Sequence, residues 1–302
     1  MALPTLSIIV PVYGRLDMLM NLLATLGPTL PPNAPIEILA SSTARISTLP
    51  PNAPIEILAV DDASPGLDLR QVKALSGAQI IRRDVNGGFP AACNTGALAA
   101  HGEVLFFLNS DTEAIPGWYE PLLNVFVDHN DVAVVGVKTV FPVLWWCREC
   151  RGYVSCKKCP NGHDAVQAVR IQSAGGWFDA RNGPYHRYFG WDANDPLVNV
   201  QEAVSWVTGA AMAVRSSVFR EMQGFDENYT GGYFEDVDLC MRVRQSGWRV
   251  MYEPKSVFVH VTGASFVPVG DKSRFYINSK RFHVLWDKTI VPDNRACIMV
   301  DY

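Results

Sequence analysis

Residues 103–118 read EVLFFLNSDTEAIPGW. Five apolar side chains in succession, Val104 to Leu108, show no period-two alternation, so the strand they predict is buried on both faces. The run stops at Asn109-Ser110-Asp111, which puts a carboxylate where a buried strand ends. Comparable runs stand at 6–12 (LSIIVPV), 55–60 (IEILAV), 79–82 (QIIR) and 132–137 (VAVVGV), with 103–108 among them. Helix-like runs near 15–26, 68–76, 89–100 and 117–128 alternate with these strands. That alternation predicts a doubly wound α/β unit, a parallel sheet covered by helices on each side.

Ligands of such sheets bind outside the carboxyl ends of the strands. Three strand ends are polar: Val10 runs into Pro11-Val12-Tyr13-Gly14, Val60 into Asp61-Asp62-Ala63-Ser64, and Leu108 into Asn109-Ser110-Asp111. The second half is less regular. A strand is expected over 207–214, a helix from Ser216 to Gly224, and a second helix opening in GGYFEDVDLCMRVRQSG. Glu235, Asp236 and Asp238 fall in the first turn of that helix, where negative charge suits the helix dipole. Short strands are expected at 249–252 and 256–260, ending at His260, and a polar-aromatic helix at 273–287.

The chain has 302 residues, 48% hydrophobic and 19% charged, with a formal net charge of −4. This describes a folded globular protein and argues against nucleic acid as partner, which would require a basic face. No run of about 18 apolar residues is present, so no transmembrane segment is expected. The expectation is a cytoplasmic protein, with peripheral association at the inner face of a membrane left open.

Two features interrupt the plan. TLPPNAPIEILA occurs at 29–40 and, unchanged, at 48–59. Only the second copy leads into Val60-Asp61-Asp62, so it should supply the strand and leave the first as a surface excursion. The other feature is WWCRECRGYVSCKKCPNGHD, residues 145–164. Its pairs Cys147-x-x-Cys150 and Cys156-x-x-Cys159 can offer four thiolates to one tetrahedral structural Zn²⁺. Four cysteines leave no open position for catalysis. Cys93, Cys240 and Cys297 sit singly, as small hydrophobes.

Taken in order, SIIVPVYGR, VDDASPG, NGGFPAACNTG, LFFLNSDT, VTGAAMAVR, GFDENY, YFEDVDLCMR and VFVHVTGAS resemble the inverting, family-two glycosyltransferases of the GT-A fold. The similarity is greatest to the rhamnosyltransferase-like branch, and it covers nearly the whole chain apart from the first repeat copy and the cysteine segment. The resemblance implies a Rossmann-like mixed sheet flanked by helices over 1–265, with the four-cysteine insert at 145–164 and a helical extension at 266–302. It also implies metal-dependent transfer of a hexose or deoxyhexose, with inversion, from a nucleotide-diphosphate donor to a hydroxyl of a glycan or lipid-linked glycan.

The same resemblance assigns residues. Asp111 is the metal-binding carboxylate of an Asp-x-Asp-like motif that reads Asn109-Ser110-Asp111 here, so one carboxylate serves Mg²⁺ or Mn²⁺ with His260 as a second protein ligand. Pro11, Tyr13, Asp61 and Asp62 surround the base and ribose. A carboxylate there accepts the imide N–H of a pyrimidine, favouring UDP- or dTDP-sugars, and Asp61 and Asp62 are both open for this. Asn86, Gly88 and Asn94 approach the diphosphate, where glycine and a helix N-terminus suit an anion. Asp236 is the general base, ionised near neutrality at an ordinary carboxyl pKa. Trp177, Trp191 and Trp206 lie where the acceptor sugar is shaped. Two competing readings are a nucleotidyltransferase, which the single glycine and arginine of PVYGRLD do not suit, and a catalytically impaired scaffold that contacts a partner through the zinc insert.

Overall fold

The computed structural model describes residues 3–30, 55–66, 78–147, 149–150, 152–154, 157–179, 181, 183–261 and 272–293. The expected helix at 68–76, Cys156, Cys297 and all of the first repeat copy beyond Leu30 lie outside them.

Strands β1 (Leu6–Val12), β2 (Ile55–Asp61), β3 (Gln79–Arg82) and β4 (Val104–Leu108) form the parallel part of the sheet. Helices α1 (Leu16–Thr29) and α2 (Gly88–Ala99) follow β1 and β3. Next come β5 (Thr112–Ala114), α3 (Tyr119–Asp128) and β6 (Val132–Val140). After the middle segment stand β13 (Glu202–Ala203), β14 (Ala211–Arg215), α4 (Ser216–Glu221), α5 (Glu235–Gln245), β15 (Arg249–His260) and α6 (Lys272–Trp286). The sheet runs β13-β15-β6-β14-β4-β1-β2-β3. It is mixed, because β14 is antiparallel to both β4 and β6.

The apolar strands divide their side chains by the two-residue period of a strand. Ile9, Leu58, Leu105, Phe107, Met212 and Val214 face the layer that includes α2, α4, α5 and α6. Ile8, Ile57, Val104, Phe106, Leu108 and Ala213 face α1 and α3. The doubly buried strand read from 104–108 therefore sits at the centre, between β1 and β14.

Several expectations need correction. The strand expected over 207–214 begins at Ala211, because the Gly209 N–H donates to the Asp236 carboxylate (2.8 Å) instead of to a neighbouring strand. The two strands ending at His260 are one strand, β15, whose register on β6 shifts between Glu253 and Val257. Pro254 lies in that shift, where its missing N–H breaks no ladder bond. Thr112–Ala114, where no strand is expected from the sequence, pairs with β15 as Thr112↔His260. The second repeat copy does supply β2, with Leu6↔Ile55 through Val12↔Asp61 in register. The first two residues of the other copy are not a surface excursion. Thr29 closes α1 and accepts from the Trp118 indole (2.9 Å), and Leu30 is buried.

The middle segment holds a three-stranded antiparallel sheet, β7 (Leu144–Cys147), β8 (Gly152–Val154) and β9 (Ala165–Ala168), in the order β8-β7-β9. β10 (Ile171–Ser173) returns to pair with β6, and β11 (Gly176–Phe178) forms a hairpin with β12 (Pro184–His186).

Candidate active site

The polar strand ends are brought together. Asp62 N–H bonds the Val12 carbonyl (2.9 Å) and Asn109 N–H the Ala210 carbonyl (2.9 Å), so the ends of β1, β2 and β4 and the approach to β14 share one edge. Pro11 sits in register with Val60, beyond the last pairing of β1 with β4 at Ile9↔Phe107, where its missing N–H costs no bond to β4. Tyr13 is exposed at this edge, and Ser64 fixes the adjacent turn by accepting from Gly14 N–H (2.8 Å).

Asp61 and Asp62 are both buried but differently employed. Asp61 accepts from Ser64 N–H (2.9 Å) and pairs with the partly exposed Arg82. Asp62 pairs with Arg83 (2.8 Å) and accepts from the N–H groups of Gly87 (3.0 Å) and Gly88 (2.7 Å). A carboxylate that gathers two backbone N–H groups and a guanidinium fixes the Asn86-Gly87-Gly88 turn at the start of α2, and Asn86 Nδ2 bonds the Asp62 carbonyl (3.1 Å). Gly88 has φ +78°, and a Cβ there would lie 2.9 Å from the Gly231 backbone, so the approach of these two loops requires glycine. Asn94 is turned to another task. Its carboxamide bonds Phe225 in both directions (2.9 Å each) and reaches Glu227, anchoring α2 to that loop.

Asp111 and His260 meet at the end of β15. His260 Nε2 lies 3.2 Å from Asp111 Oδ1 and 3.5 Å from Asn109 Nδ2, and Val261 N–H donates to the Asp111 carbonyl (2.9 Å). His260 Nδ1 faces Gln172 Oε1 at 2.6 Å, while Gln172 Nε2 bonds the His260 carbonyl (3.3 Å). With Nδ1 held by Gln172, Nε2 is the ring nitrogen turned toward the Asp111 carboxylate. An imidazole nitrogen and a carboxylate oxygen side by side are ligand atoms of the kind a divalent ion takes. Ser110 is buried beside them.

Of the acids at the start of α5, Glu235 and Asp238 are buried and Asp236 is partly exposed. Asp238 accepts from the Trp286 indole (2.8 Å) and Arg242 (2.8 Å), a structural tie between α5 and α6 beyond any dipole effect. Asp236 accepts from Gly209 N–H through Oδ2 and from Val237 N–H through Oδ1 (2.8 Å each). Burial pushes its carboxyl above the ordinary Asp value despite those N–H groups, a correction to the unperturbed value expected from sequence. Burial, with the charge of Asp236 beside it, pushes Glu235 higher still.

The loop entering α5 carries four consecutive positive φ values, Gly231 (+75°), Gly232 (+110°), Tyr233 (+75°) and Phe234 (+73°). For Tyr and Phe this is a strained conformation that the surroundings must hold. Asn278 of α6 supplies a hold. Fully buried, it donates to the carbonyls of Thr230 (3.3 Å), Gly232 (2.7 Å) and Tyr233 (3.2 Å), while Phe275 packs on both Tyr233 and Phe234.

Trp177 and Trp206 are buried, the Trp206 indole donating to the Trp177 carbonyl (3.1 Å), and Trp191 packs on Tyr188 (5.0 Å). In the insert, Cys147, Cys150, Cys159 and His163 place their ligand atoms within 4.8 Å of one another. Cys150 N–H points at Cys147 Sγ (3.4 Å), and His163 Nδ1 lies 3.3 Å from Cys150 Sγ. Burial works against ionisation of Cys159, yet the N–H groups of His163 and Asn161 bring its thiol down to about 7. Soft sulfur with one imidazole is a donor set that binds metal, and His163 enters it without having been expected.

Arg83, Gln172, Asn278 and the Gly209 N–H were also not foreseen. Arg83 directly follows the strand expected at 79–82, and a cation at the end of a strand next in order to a doubly acidic one was a readable signal; a lone Gln, a lone Asn and a backbone amide carry none.

A mixed sheet with this strand order and these polar strand ends has the architecture of the GT-A glycosyltransferases. The model of the family "Glycosyl transferase family 2" matches residues 7–158, half of the chain, and the chain belongs to that family. It is 31% identical over 182 residues to a pre-mycofactocin glycosyltransferase of Mycobacterium tuberculosis (strain ATCC 25618 / H37Rv), covering 60% of this chain and 32% of that protein. It is 28% identical over 266 residues to the O-antigen biosynthesis protein RfbC of Myxococcus xanthus, covering 87% of this chain and 18% of that one. The chain thus spans a third or less of the length of these curated relatives. Among solved structures it is similar to GalNAc-T7 with UDP, GalNAc and Mn²⁺, at TM-score 0.64 and 16% identity, over 95% of this chain and 49% of that chain.

Proposed function

We propose that this chain transfers a hexose or deoxyhexose, with inversion, from a nucleoside-diphosphate sugar to a hydroxyl of a glycan or lipid-linked glycan in the cytoplasm. One observation carries the reading. The step Gly209-Ala210 bonds Asp236 through the Gly209 N–H and Asn109 through the Ala210 carbonyl. The partly exposed carboxylate is therefore pinned beside the Asn109-Ser110-Asp111 strand end, as an acceptor-side base and a diphosphate-side site must be.

Each Asp236 oxygen accepts one backbone N–H and keeps a lone pair for the acceptor hydroxyl. The raised basicity of this half-buried carboxyl favours proton removal as the oxygen attacks the anomeric carbon. A single base and a single displacement give inversion. Asp111 and His260 would hold Mg²⁺ or Mn²⁺, whose charge offsets that of the departing nucleoside diphosphate; GalNAc-T7 carries Mn²⁺ with UDP. The Gly87 and Gly88 N–H groups are spent on Asp62, so the Asn86-Gly88 turn acts as a fixed wall for the diphosphate. Asn94 braces that wall from behind. Asp61, whose Arg82 partner is partly exposed, is the better placed of the two strand-end acids to receive a uracil or thymine imide, with Tyr13 as a stacking face. Structural Zn²⁺ is assigned to Cys147, Cys150, Cys159 and His163.

A thermal-shift panel of UDP, dTDP, GDP and ADP with and without Mn²⁺ tests the reading. UDP or dTDP should raise the melting temperature in the presence of Mn²⁺, increasingly with the logarithm of concentration. The absence of any shift with all four nucleotides would overturn it.

A further inference from the structure

The C-terminal helix α6 has two opposed faces. Asn278, Phe282 and Trp286 point into the protein and are buried. At about 100° per residue, the opposite side presents Tyr276, Ile277, Lys280 and Val284; Lys288 and Val291, beyond the helix end, are exposed as well. Large apolar side chains are far out of the protein here: Val284 is 86% exposed, Val291 78%, Tyr276 58% and Ile277 57%. Water-facing helix surfaces are ordinarily polar, so an apolar stripe diametrically opposite the core asks for a second apolar environment.

Charge narrows what that environment is. The sequence of α6, KSRFYINSKRFHVLW, contains two lysines and two arginines and no acid, in a chain whose net charge is −4. Arg281 is used on Asp226 (2.5 Å), and the nearest acid after the helix, Asp287, is engaged by His283 (2.6 Å). Lys280 and Lys288 are exposed, and Lys280 Nζ lies 4.4 Å from the centre of the Tyr276 ring. Lysines flanking an aromatic-aliphatic stripe suit an interfacial helix: the apolar side chains enter the boundary of the acyl chains while the amines stay with anionic headgroups.

We propose that the outer face of α6, centred on Ile277, Lys280 and Val284, docks this chain on an anionic phospholipid surface. The inference rests on the exposure and charge of α6 and of the residues just after it. It accords with a lipid-linked acceptor but does not depend on that part of the proposed function.

The test is co-sedimentation of the full chain with vesicles of equal phosphatidylglycerol and phosphatidylcholine, and with vesicles of phosphatidylcholine alone. Binding should be at least about tenfold stronger on the anionic vesicles and fall with added salt. Ile277→Asp with Val284→Asp should reduce partitioning at least about tenfold. Lys280→Glu with Lys288→Glu should do so on anionic vesicles, and this second pair keeps the proposal testable if the first harms folding. All four residues are exposed and none belongs to the candidate active site, so nucleotide-induced thermal shifts should match those of the parent, which separates this outcome from failure of the enzymatic reading. Absence of parent binding to anionic vesicles would overturn the proposal, as would unchanged binding of both variants. A parent dimer that either variant dissociates, without lipid binding, would assign the face to a second copy and overturn it equally.

Discussion

Asn278→Ala removes the hold on the strained loop that carries Asp236 without touching any residue of the candidate site. Two amide hydrogens serve three carbonyls, with one short bond to Gly232 (2.7 Å) and longer ones to Thr230 and Tyr233. At about 1 kcal/mol net per hydrogen bond, and with buried carbonyls left unpaired, the loss amounts to about 2–3 kcal/mol. For a chain of this size that corresponds to a melting temperature lower by roughly 5 °C. The larger effect should be on turnover. Tyr233 and Phe234 are free to leave the left-handed region once the hold is gone, and a displacement of the base by about 1 Å costs on the order of 10² in rate. Asn278→Asp should be worse, because it turns an oxygen toward three carbonyl oxygens. The assay is steady-state transfer with the donor varied, beside donor binding by calorimetry. The turnover number should fall while donor affinity stays within about twofold of the parent. A variant with parent turnover and parent melting temperature would refute the assigned hold.

Three further outcomes are expected. Cys147→Ser with Cys150→Ser should lose about one zinc per chain and open residues 141–165 to protease while nucleotide binding survives; zinc-free parent protein, purified without added metal, would contradict the site. Deleting residues 41–59 joins Ala40 to Val60 and rebuilds β2 from the identical Ile36–Ala40 while keeping Thr29 and Leu30 in place, so the product should fold and retain parent activity; an insoluble product would show that the first copy is recruited elsewhere. Glu235→Gln should stabilise the protein near pH 8 and have no such effect near pH 4. Burial and the charge of Asp236 raise the folded pKa of Glu235 above its unfolded value of about 4.3, so stability falls as pH rises from there toward the folded value, and glutamine removes that loss. Equal melting temperatures of parent and variant across that range would refute the sign.

The elements legible in the sequence are those whose signal is local. Strands β1, β2 and β4 follow from apolar runs that only a doubly covered sheet accommodates, and α6 from its helical run of aromatics and cations. Interactions between distant segments were not legible. β5 has three residues and exists because His260 pairs with Thr112. Gly209 left its strand to bond an acid 27 residues later. His163 joined a cysteine cluster whose two Cys-x-x-Cys pairs already accounted for four ligands. Asn278, an ordinary polar residue in a helix, matters only because a strained loop lies against it.

Transfer kinetics of Asp236→Asn beside Asp111→Asn test the central claim most directly. Asparagine keeps the shape of Asp236 and removes its basicity, so turnover should fall by about 10²–10⁴ while donor affinity changes little. Asp111→Asn should weaken Mn²⁺-dependent donor binding as well as turnover. An Asp236→Asn protein that transfers sugar at the parent rate would contradict the account.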